Sequence, residues 1–486
     1  MKLRSALQWL TLDHLLVALF FLLITTAAGA TTGFDGDTWW QLRSGQLTWQ
    51  SGFVWMTDPL SVTARGRPWP NHEWLSQILF YGFYRLGGAP ALVALAAAII
   101  TATWVAIIRL CTGSPRIWTP LLAIGVISHS IVWSVRPHLF SLLGVAVLLL
   151  LLRYPRAQIS IPPLFLIWAN LHGGVAFGGA ILLVGAASAL YDDRRFWPRW
   201  AVLVAASALA TLCTPMGIGL WGFALSMVAH PETTYIREWL PPSINWPVSY
   251  PFFLLAFVWV AVLALCWRDL ARRLVSDDRA WTLTLLVIGL AMLSMGFRAI
   301  RHTTLFTLVA LPLICDLLRY LDTSVGLKKG AEHASPTHPL AEYVSLKRGI
   351  GHAIGLVLAG FLALALVIVS WSEQESRIRP LSDGAIAAVR ACPGTLYNTY
   401  TLGGPVLWFI PERLVFVDSR NDPYPLDLLY DAVRVEQSGS YADLFARYHV
   451  NCAIVGRRVP LATTLAAAPD WALTYDGDQV LVFAHK

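Results

Sequence analysis

Charged side chains are scarce in this sequence of 486 residues. Asp, Glu, Lys and Arg together make up only 13% of it, whereas a soluble globular protein carries about 25%. Hydrophobic residues make up 56%, and the mean hydropathy is +0.58. This shortage of charge, together with many long apolar runs, predicts a polytopic α-helical membrane protein.

Several signatures of soluble enzymes and nucleic-acid-binding proteins are also missing. The six cysteines show no CxxC or metal-ligand spacing, and the chain has no Walker loop, no Rossmann glycine pattern and no fixed-period repeat. The net charge of +7 does not indicate a nucleic-acid partner. Most Lys and Arg lie in short clusters between apolar runs, as the positive-inside rule expects for cytoplasmic loops.

The apolar runs predict about eleven helices, each about 20 residues long where it crosses the membrane. Residues 1–371 are expected to form the membrane domain, with a cytoplasmic N-terminus and an extracytoplasmic first loop at 32–72. Residues 73–109 contain a predicted break at Gly87-Gly88. Residues 160–190 are too long for one relaxed span, so we expect two short helices that meet near His172-Gly173-Gly174.

The last part of the chain, residues 372–486, is no longer membrane-like and predicts a small extracytoplasmic α/β domain. Short apolar runs bounded by turn residues indicate buried strands, and the spacing around Asp476-Gly477-Asp478 indicates a hairpin. The predicted strands cover 414–418 and 453–455, the helices 423–435 and 440–448, and the hairpin 470–484.

One stretch combines acidic residues with tryptophan beside the membrane. Asp35 and Asp37 follow the first span, and His72-Glu73-Trp74 precedes the second. Trp prefers the headgroup region because its ring is apolar and its N–H is polar. Residues 37–50 therefore predict an interfacial helix whose apolar side chains face lipid: Trp39, Trp40, Leu42, Leu47 and Trp49. Two interpretations remain, a solvated loop with an aromatic belt or a catalytic loop held against the membrane.

A set of basic residues departs from the positive-inside rule because it falls at predicted outer turns. Guanidinium groups suit phosphate, since their planar fork donates two hydrogen bonds to it. A cavity lined by these residues and Asp37 suggests a lipid-phosphate substrate and an acid–base step. The alternative is that each arginine pairs with Asp35, Glu73 or a lipid headgroup. The residues are Arg136, His138, Arg298, Arg301 and His302.

Two further features concern single residue types. His172 lies at predicted membrane depth, where a histidine is a functional candidate or a hydrogen-bonding contact between helices. Cys392 and Cys452 both fall in the predicted outer domain, each beside a predicted strand. Because that compartment is oxidising, they are candidates for a disulfide; the alternative is two buried free thiols.

These motifs resemble the GT-C superfamily of integral membrane glycosyltransferases, which take sugars from polyprenyl-phosphate carriers at the outer face. The chain is most similar to the protein mannosyltransferase and aminoarabinose transferase branch. The shared pattern is Asp35-Gly36-Asp37-Thr38-Trp39-Trp40 after the first helix, followed by Gly66-Arg67-Pro68-Trp69 and His72-Glu73-Trp74. Trp168-Ala169-Asn170-Leu171-His172-Gly173 lies where relatives carry a lysine-glycine turn. The likeness covers residues 10–320.

The resemblance implies a bacterial cytoplasmic-membrane enzyme that moves a sugar from a polyprenyl-phosphate donor to an acceptor at the extracytoplasmic face. It implies that Asp37, or in second place Asp35, accepts the acceptor's proton, and that arginines stabilise the departing phosphate. His172 would hold the phosphate or the sugar. A divalent ion held by Asp37, His72 and Glu73 is an option that the loose spacing leaves open. Membrane lipids are the other expected partner.

The chain departs from the family pattern at two places, and other functions are alternatives to a glycosyltransferase. The usual Asp-Glu pair is split here as Asp35 and Asp37, and Arg136 and His138 lie where relatives often have another aspartate. A polysaccharide polymerase or ligase with the same lipid donor would also use outer arginines. A transporter should show repeated halves and helices broken at mid-membrane, whereas this chain shows one broken pair and no repeat. A non-catalytic scaffold would not need Asp37.

Overall fold

The structure is a computed structural model that describes residues 10–226, 237–319, 339–373 and 378–486. Its first part is helical. In chain order the helices are α1 (Leu12–Thr31), α2 (Gly36–Ser51), α3 (Trp74–Leu110), α4 (Pro115–His129), α5 (His138–Arg153), α6 (Ile161–Leu171), α7 (Val175–Asp192), α8 (Trp197–Ala210), α9 (Gly219–Ser226), α10 (Tyr250–Leu265), α11 (Trp267–Arg273), α12 (Arg279–Arg298), α13 (Thr303–Leu318) and α14 (Pro339–Glu373).

Seven helices in the described part are long and apolar enough to cross a membrane. They are α1, α3, α7, α10, α12, α13 and α14, and shorter apolar helices such as α5 lie among them. The predicted class, a polytopic helical membrane protein, is therefore confirmed. The sequence-based number of about eleven also counts shorter helices as spans.

Glycine interrupts the helical part at two places that the sequence predicts. Gly88 inside α3 has φ 63° and ψ −149°, a conformation open in practice to glycine alone. Gly87 is also non-helical, so α3 consists of two segments joined at a kink. The second break separates α6 from α7 at His172-Gly173-Gly174.

The C-terminal part is a small sheet covered by helices, as predicted. Its strands are β1 (Thr395–Asn398), β2 (Val450–Gly456), β3 (Trp471–Asp476) and β4 (Val480–His485), in the order β1-β2-β4-β3. β1 is parallel to β2, and the other neighbours are antiparallel. The helices are α15 (Asp383–Ala391), α16 (Gly403–Phe409), α17 (Leu426–Ser438), α18 (Ala442–Arg447) and α19 (Pro460–Ala467). Cys392 and Cys452 are joined by a disulfide, with Cα atoms 5.8 Å apart.

Helix α2 packs between protein surfaces, so the prediction that its apolar side chains face lipid is wrong for most of them. Trp39 is buried against Phe34 and Phe409, with ring centroids 5.4 and 4.9 Å away. Trp40 and Leu42 are buried as well, and only Trp49 at the far end is exposed. Phe409 belongs to α16, so the C-terminal domain, and not lipid, packs against Trp39.

The segment Leu414–Asp418 is buried but does not form the predicted strand. Val62 donates its N–H to the Val415 carbonyl (2.8 Å), and Val415 donates its own to Leu60 (3.1 Å). The Asn398 side chain pairs with the Phe416 N–H and the Val417 carbonyl, both at 2.7 Å. An apolar run predicts burial, but here the hydrogen-bond partners are the first loop and the Asn398 side chain, and no strand backbone pairs along the segment.

Candidate active site

The site begins at a capped turn at the start of α2. Asp35 is the N-cap residue, and its Oδ1 accepts hydrogen bonds from the Thr38 N–H (3.1 Å) and hydroxyl (3.2 Å). The Asp35 N–H in turn donates to Thr38 Oγ1, which completes a capping box. This geometry places Asp37 in the first helical turn, where the helix dipole favours a carboxylate.

Arg136 connects three carboxylates at this turn. Its Nη2 lies 2.7 Å from Asp37 Oδ2, and its Nη1 lies 2.5 Å from Glu238 Oε1 and 3.7 Å from Asp35 Oδ2. Trp40 Nε1–H donates to the other Asp37 oxygen at 3.2 Å. Backbone bonds hold Arg136 in place, because the Val135 N–H donates to Gly33 and the Thr38 hydroxyl to the Val135 carbonyl.

The titration of these groups follows from burial and from their mutual charge. The protein around Asp35 removes water and raises the pKa of its carboxyl to about 6; Arg136 opposes this shift and Asp37 adds to it. Burial also acts to raise the pKa of Glu238, but Arg136 and Arg301 outweigh it and hold that pKa below its usual value. The Asp35 side chain is 39% exposed, against 17% for Asp37. Its raised pKa means that Asp35 exchanges its proton near pH 6.

A second cluster surrounds Glu73, just before α3. Gln41 Nε2–H donates to Glu73 Oε2 at 2.5 Å. Glu73 Oε1 lies 3.6 Å from His72 Nε2 and 3.4 Å from His172 Nε2. Burial raises the pKa of Glu73, and His72 and Gln41 partly offset that effect. Because Gln41 follows Asp37 by four residues on the same face of α2, one helix face serves both clusters.

The partners of the two histidines determine which ring nitrogen carries the proton. The Gly174 N–H can only donate, and it lies 3.0 Å from His172 Nδ1, so Nδ1 accepts and the neutral ring is protonated at Nε2 towards Glu73. Ser141 Oγ lies 2.7 Å from the same Nδ1 and accepts from Trp168 Nε1–H. His72 Nδ1 lies 3.0 Å from the Pro70 carbonyl and donates to it. His72 Nε2 is the ring nitrogen that lies towards Glu73.

Arg301 lies near these carboxylates but has none at ion-pair distance among the described residues. Its guanidinium lies over the Trp239 ring, 4.4 Å from the centroid. Electrostatic interactions connect it with Glu238, Glu73 and Asp37. A desolvated guanidinium stacked on an aromatic face and not neutralised by a direct partner is suited to bind an anion such as phosphate.

The remaining basic residues predicted at the outer turns occupy different positions. His138 Nε2 lies 2.7 Å from the Val132 carbonyl, so this side chain supports the Arg136 turn. His302 is buried between Phe177 and Trp239, with ring centroids 5.6 and 5.7 Å away. Arg298 is exposed at the end of α12 and forms no ion pair with the described carboxylates. The structure therefore brings Arg136 and Arg301 to the cluster but not Arg298.

The three residues considered for a divalent ion do not form a metal site. Asp37 is engaged by Arg136 and Trp40, whereas His72 and Glu73 face the second cluster. In the part of the chain that the structure describes, no group of three or more His, Cys, Asp or Glu side chains has metal-binding geometry. The side chains present do not fit the ion, so we derive no step through it.

Several contributors to the site carry only weak signals in the sequence. Glu238 lies in the short 3-10 helix Arg237–Trp239, and nothing in its sequence spacing indicates that it meets Arg136. Gln41 is detectable only as the residue four positions after Asp37 on a helix. Ser141 and Trp168 lie in apolar helices and acquire their role through contact with His172.

The architecture is shared with solved membrane transferases, although no protein family and no curated protein matches the sequence. The archaeal oligosaccharyltransferase AglB from Archaeoglobus fulgidus, solved with an inhibitory peptide and a dolichol-phosphate, is 13% identical with a TM-score of 0.59; the alignment covers 90% of this chain and 69% of AglB. ArnT from Cupriavidus metallidurans, bound to undecaprenyl phosphate, is 13% identical with a TM-score of 0.50 and coverages of 96% and 97%. The fold of this chain is therefore the GT-C fold.

Proposed function

We propose that the protein is a glycosyltransferase of the bacterial cytoplasmic membrane. It transfers a sugar from a polyprenyl-phosphate-linked donor to an acceptor at the extracytoplasmic face. In this topology the N-terminus is cytoplasmic, and the C-terminal domain and the cavity around Asp37 are extracytoplasmic.

The observation that carries this proposal is the grouping of two kinds of side chain around the α2 turn. Asp35 and Asp37, held by Arg136, supply carboxylates for an acid–base step. Arg301, stacked on Trp239, supplies an anion-binding group beside them. A scaffold has no need of this combination. A transferase with a phosphate leaving group needs both.

The reaction requires that one bond forms as another breaks. The acceptor oxygen attacks the anomeric carbon of the sugar, and the bond between that carbon and the phosphate oxygen breaks with its electron pair leaving on the phosphate. Arg301 stabilises the charge that grows on the phosphate. The acceptor proton passes to a carboxylate at the α2 turn.

The geometry ranks the two aspartates for the proton-accepting role. Both Asp37 oxygens are engaged, one by Arg136 and one by Trp40. Asp35 Oδ2 lies 3.7 Å from Arg136 and faces the cavity, and the pKa of this carboxyl is raised to about 6. A base is most effective when its pKa lies near the working pH. We therefore assign proton acceptance to Asp35 and the orientation of Arg136 to Asp37, which reverses the order that the sequence motif implies.

Transfer activity of Asp37→Asn tests the function. The full chain in lipid nanodiscs is given the lipid extract of a deletion strain, in which the unused donor accumulates, together with that strain's envelope glycans, and mass spectrometry follows the transferred sugar. Wild type should transfer, and Asp37→Asn should transfer more slowly, because Arg136 loses the carboxylate that orients it. Asp478→Asn, an exposed position in the β3–β4 turn, is the matched control. Equal rates for Asp37→Asn and wild type would contradict the assignment.

A further inference from the structure

The C-terminal domain touches the catalytic turn directly. A Cβ added to Gly36 would lie 3.0 Å from the Thr401 carbonyl oxygen, and one added to Gly404 would overlap the Gly36 carbonyl oxygen. The two backbones are thus in contact, and neither position has room for a side chain. Ser419 lies at the same contact, 3.7 Å from the position of that Gly36 Cβ. One wall of the cavity around Asp37 is therefore built from residues near 400 and 420.

Tyr400 and Asn421 form a fixed pair in this wall. The Tyr400 hydroxyl donates to Asn421 Oδ1 at 2.8 Å, and the Tyr400 N–H donates to Glu436 Oε1 at 2.5 Å. Burial raises the pKa of Tyr400, and the nearby Asp37 carboxylate raises it further. Both side chains are half-buried, so each keeps a surface open.

The backbone at Asn421 is held in an unusual conformation. Its φ is 58°, in the left-handed region that few residues other than glycine adopt. Its neighbour Arg420 is fully buried between Asp58 and Asp418 and anchors the turn. Asparagine tolerates this region better than most residues because its short polar side chain hydrogen-bonds locally, so the turn holds the Asn421 amide beside Tyr400.

The chemistry of the pair suits a hydroxyl-rich, uncharged ligand. Because the Tyr400 hydroxyl proton is used on Asn421, the pair offers an oxygen acceptor, an aromatic ring face and the two N–H donors of the Asn421 amide. The charged groups that act on Tyr400 include Asp37, Asp418 and Arg136, and Glu436 accepts a hydrogen bond from its N–H. Asp418 is neutralised by Arg420, so the carboxylates of Asp37 and Glu436 are opposed by Arg136 alone, and this excess of carboxylates disfavours an anion at this wall.

The position of the pair separates it from the donor phosphate. Glu238 and Glu73 act on Arg301, Asp418 acts on Tyr400, and Asp37 and Arg136 act on both. Arg301 lies in the turn between α12 and α13 and Tyr400 lies in the C-terminal domain, so a ligand at Tyr400 and the phosphate at Arg301 would contact the α2 turn through different parts of the chain. An inverting or retaining transferase alike needs its two substrates to meet at the reacting carbon.

We propose that Tyr400 and Asn421 bind the acceptor, and that the acceptor is an uncharged, hydroxyl-bearing carbohydrate. This inference rests on the proposed function and adds the acceptor's class and its binding residues. Tyr400→Phe removes the hydroxyl alone. Asn421→Gly removes the amide while keeping the left-handed backbone, which glycine adopts without strain. Tyr448→Phe is the matched control, because Tyr448 packs against Phe416 inside the same domain.

Equilibrium binding tests the inference without requiring turnover. The probes are the neutral glycan fraction of deletion-strain envelopes for the acceptor side and undecaprenyl phosphate for the donor side, each titrated against the full chain in nanodiscs. We expect both variants to bind the glycan at least about tenfold more weakly, as for one lost hydrogen bond of about 1.4 kcal/mol. Undecaprenyl phosphate binding should change less than twofold, and Tyr448→Phe should match wild type in both titrations.

Three outcomes would overturn the inference: no glycan binding by wild type, unchanged glycan binding by both variants, or equal loss for the glycan and undecaprenyl phosphate. The proposed function is tested separately, by measuring sugar transfer by wild type and by Asp37→Asn. If the protein binds the glycan through Tyr400 and Asn421 but transfers no sugar, the glycan-binding site is supported and the glycosyltransferase function is refuted.

Discussion

Asp35 combines a structural role with a chemical one, and pH separates them. Its pKa is raised to about 6 by burial, with Arg136, Asp37 and Glu238 as the charged groups that face it. A base must be deprotonated, so kcat/KM should fall as the pH drops through about 6, tenfold per unit below it. An unperturbed aspartate would place this fall near pH 4. The measurement is a pH profile of sugar transfer between pH 4.5 and 8.

Asp35→Asn keeps an acceptor oxygen for the α2 cap but cannot take a proton. We expect a rate about 100-fold lower or more and no acid limb in the residual activity. Thermal unfolding should change little, because asparagine caps a helix as well as aspartate does. If kcat/KM of Asp35→Asn still falls tenfold per unit below about pH 6, the base is Asp37 or Glu73 and not Asp35.

Arg301 and Arg298 are three residues apart but differ in surroundings, which makes them a matched pair. Arg301 is stacked on Trp239 inside the cavity, and Arg298 is exposed. Removing a hydrogen bond to a charged group costs about 1.5–3 kcal/mol. Arg301→Gln should therefore raise the Kd for undecaprenyl phosphate about 10- to 150-fold, and Arg298→Gln should leave it unchanged. Equal effects of both substitutions would place the phosphate elsewhere.

This pair also shows what residue-level patterns can predict. Both arginines break the positive-inside rule at one turn, and that rule predicts only that the turn is unusual. The turn Ile300–His302 is a 3-10 helix after α12, and its geometry decides which guanidinium enters the cavity. Sequence spacing carries no such information. The same limit explains why Tyr400 and Glu238, which reach the site through tertiary contact, have no recognisable motif.

At the scale of elements, helix breaks are predictable and neighbours are not. Excess length and paired glycines located the breaks at Gly87-Gly88 and at His172-Gly173-Gly174, because both signals are local. The partners of α2 were predicted wrongly, since Trp39 and Leu42 are as well suited to α16 as to lipid. The apolar run Leu414–Asp418 likewise predicts a strand, although its composition indicates only that the segment is buried.

The packing of α2 on α3 depends on one glycine. A Cβ on Gly45 would overlap the Gln77 carbonyl oxygen, a backbone atom that cannot move without shifting the helix. Gly45→Ala should therefore lower the free energy of unfolding by about 1–3 kcal/mol, as for an overpacked core. It should also lower activity, because α2 carries Asp37 and Gln41 opposite Glu73.

Gly82→Ala is the control for that substitution. The nearest atom to its added Cβ would be Trp49 Cζ3 at 3.9 Å, an ordinary contact. Thermal melts of both variants in one detergent give the comparison. A Gly45→Ala protein as stable as Gly82→Ala would show that α2 and α3 are not in this close contact.

On the scale of the whole molecule, the first loop joins the membrane part to the C-terminal domain. Arg420 Nη1 lies 2.7 Å from Asp58 in that loop, and Nη2 lies 2.7 Å from Asp418 in the domain; all three side chains are fully buried. The guanidinium also stacks on Trp69, 4.8 Å from the ring centroid. Removing the arginine alone would leave two buried carboxylates unpaired, which is costly. The turn that carries Asp35 and Asp37 is therefore held by both parts of the chain together.

The disulfide links this architecture to the side of the membrane on which the domain lies. Cys392 and Cys452 are 60 residues apart in sequence, and their bond forms only in an oxidising compartment. The double substitution to alanine should cost the domain about 2–5 kcal/mol, which a thermal melt detects. Cys213→Ala, at an exposed free cysteine, should have no such effect.

Counting thiols tests the bond and the topology in one experiment. The chain has six cysteines, of which four are free. Membranes are denatured in SDS and treated with a polyethylene-glycol maleimide, whose adducts are counted by their shift on a gel. We expect four adducts without reductant and six after reduction, because only a domain on the extracytoplasmic side keeps the Cys392–Cys452 bond in the cell. Six adducts without reductant would contradict the bond and favour a cytoplasmic domain. The cavity around Asp37 would then face the cytoplasm too, since Gly36 and Gly404 are in contact.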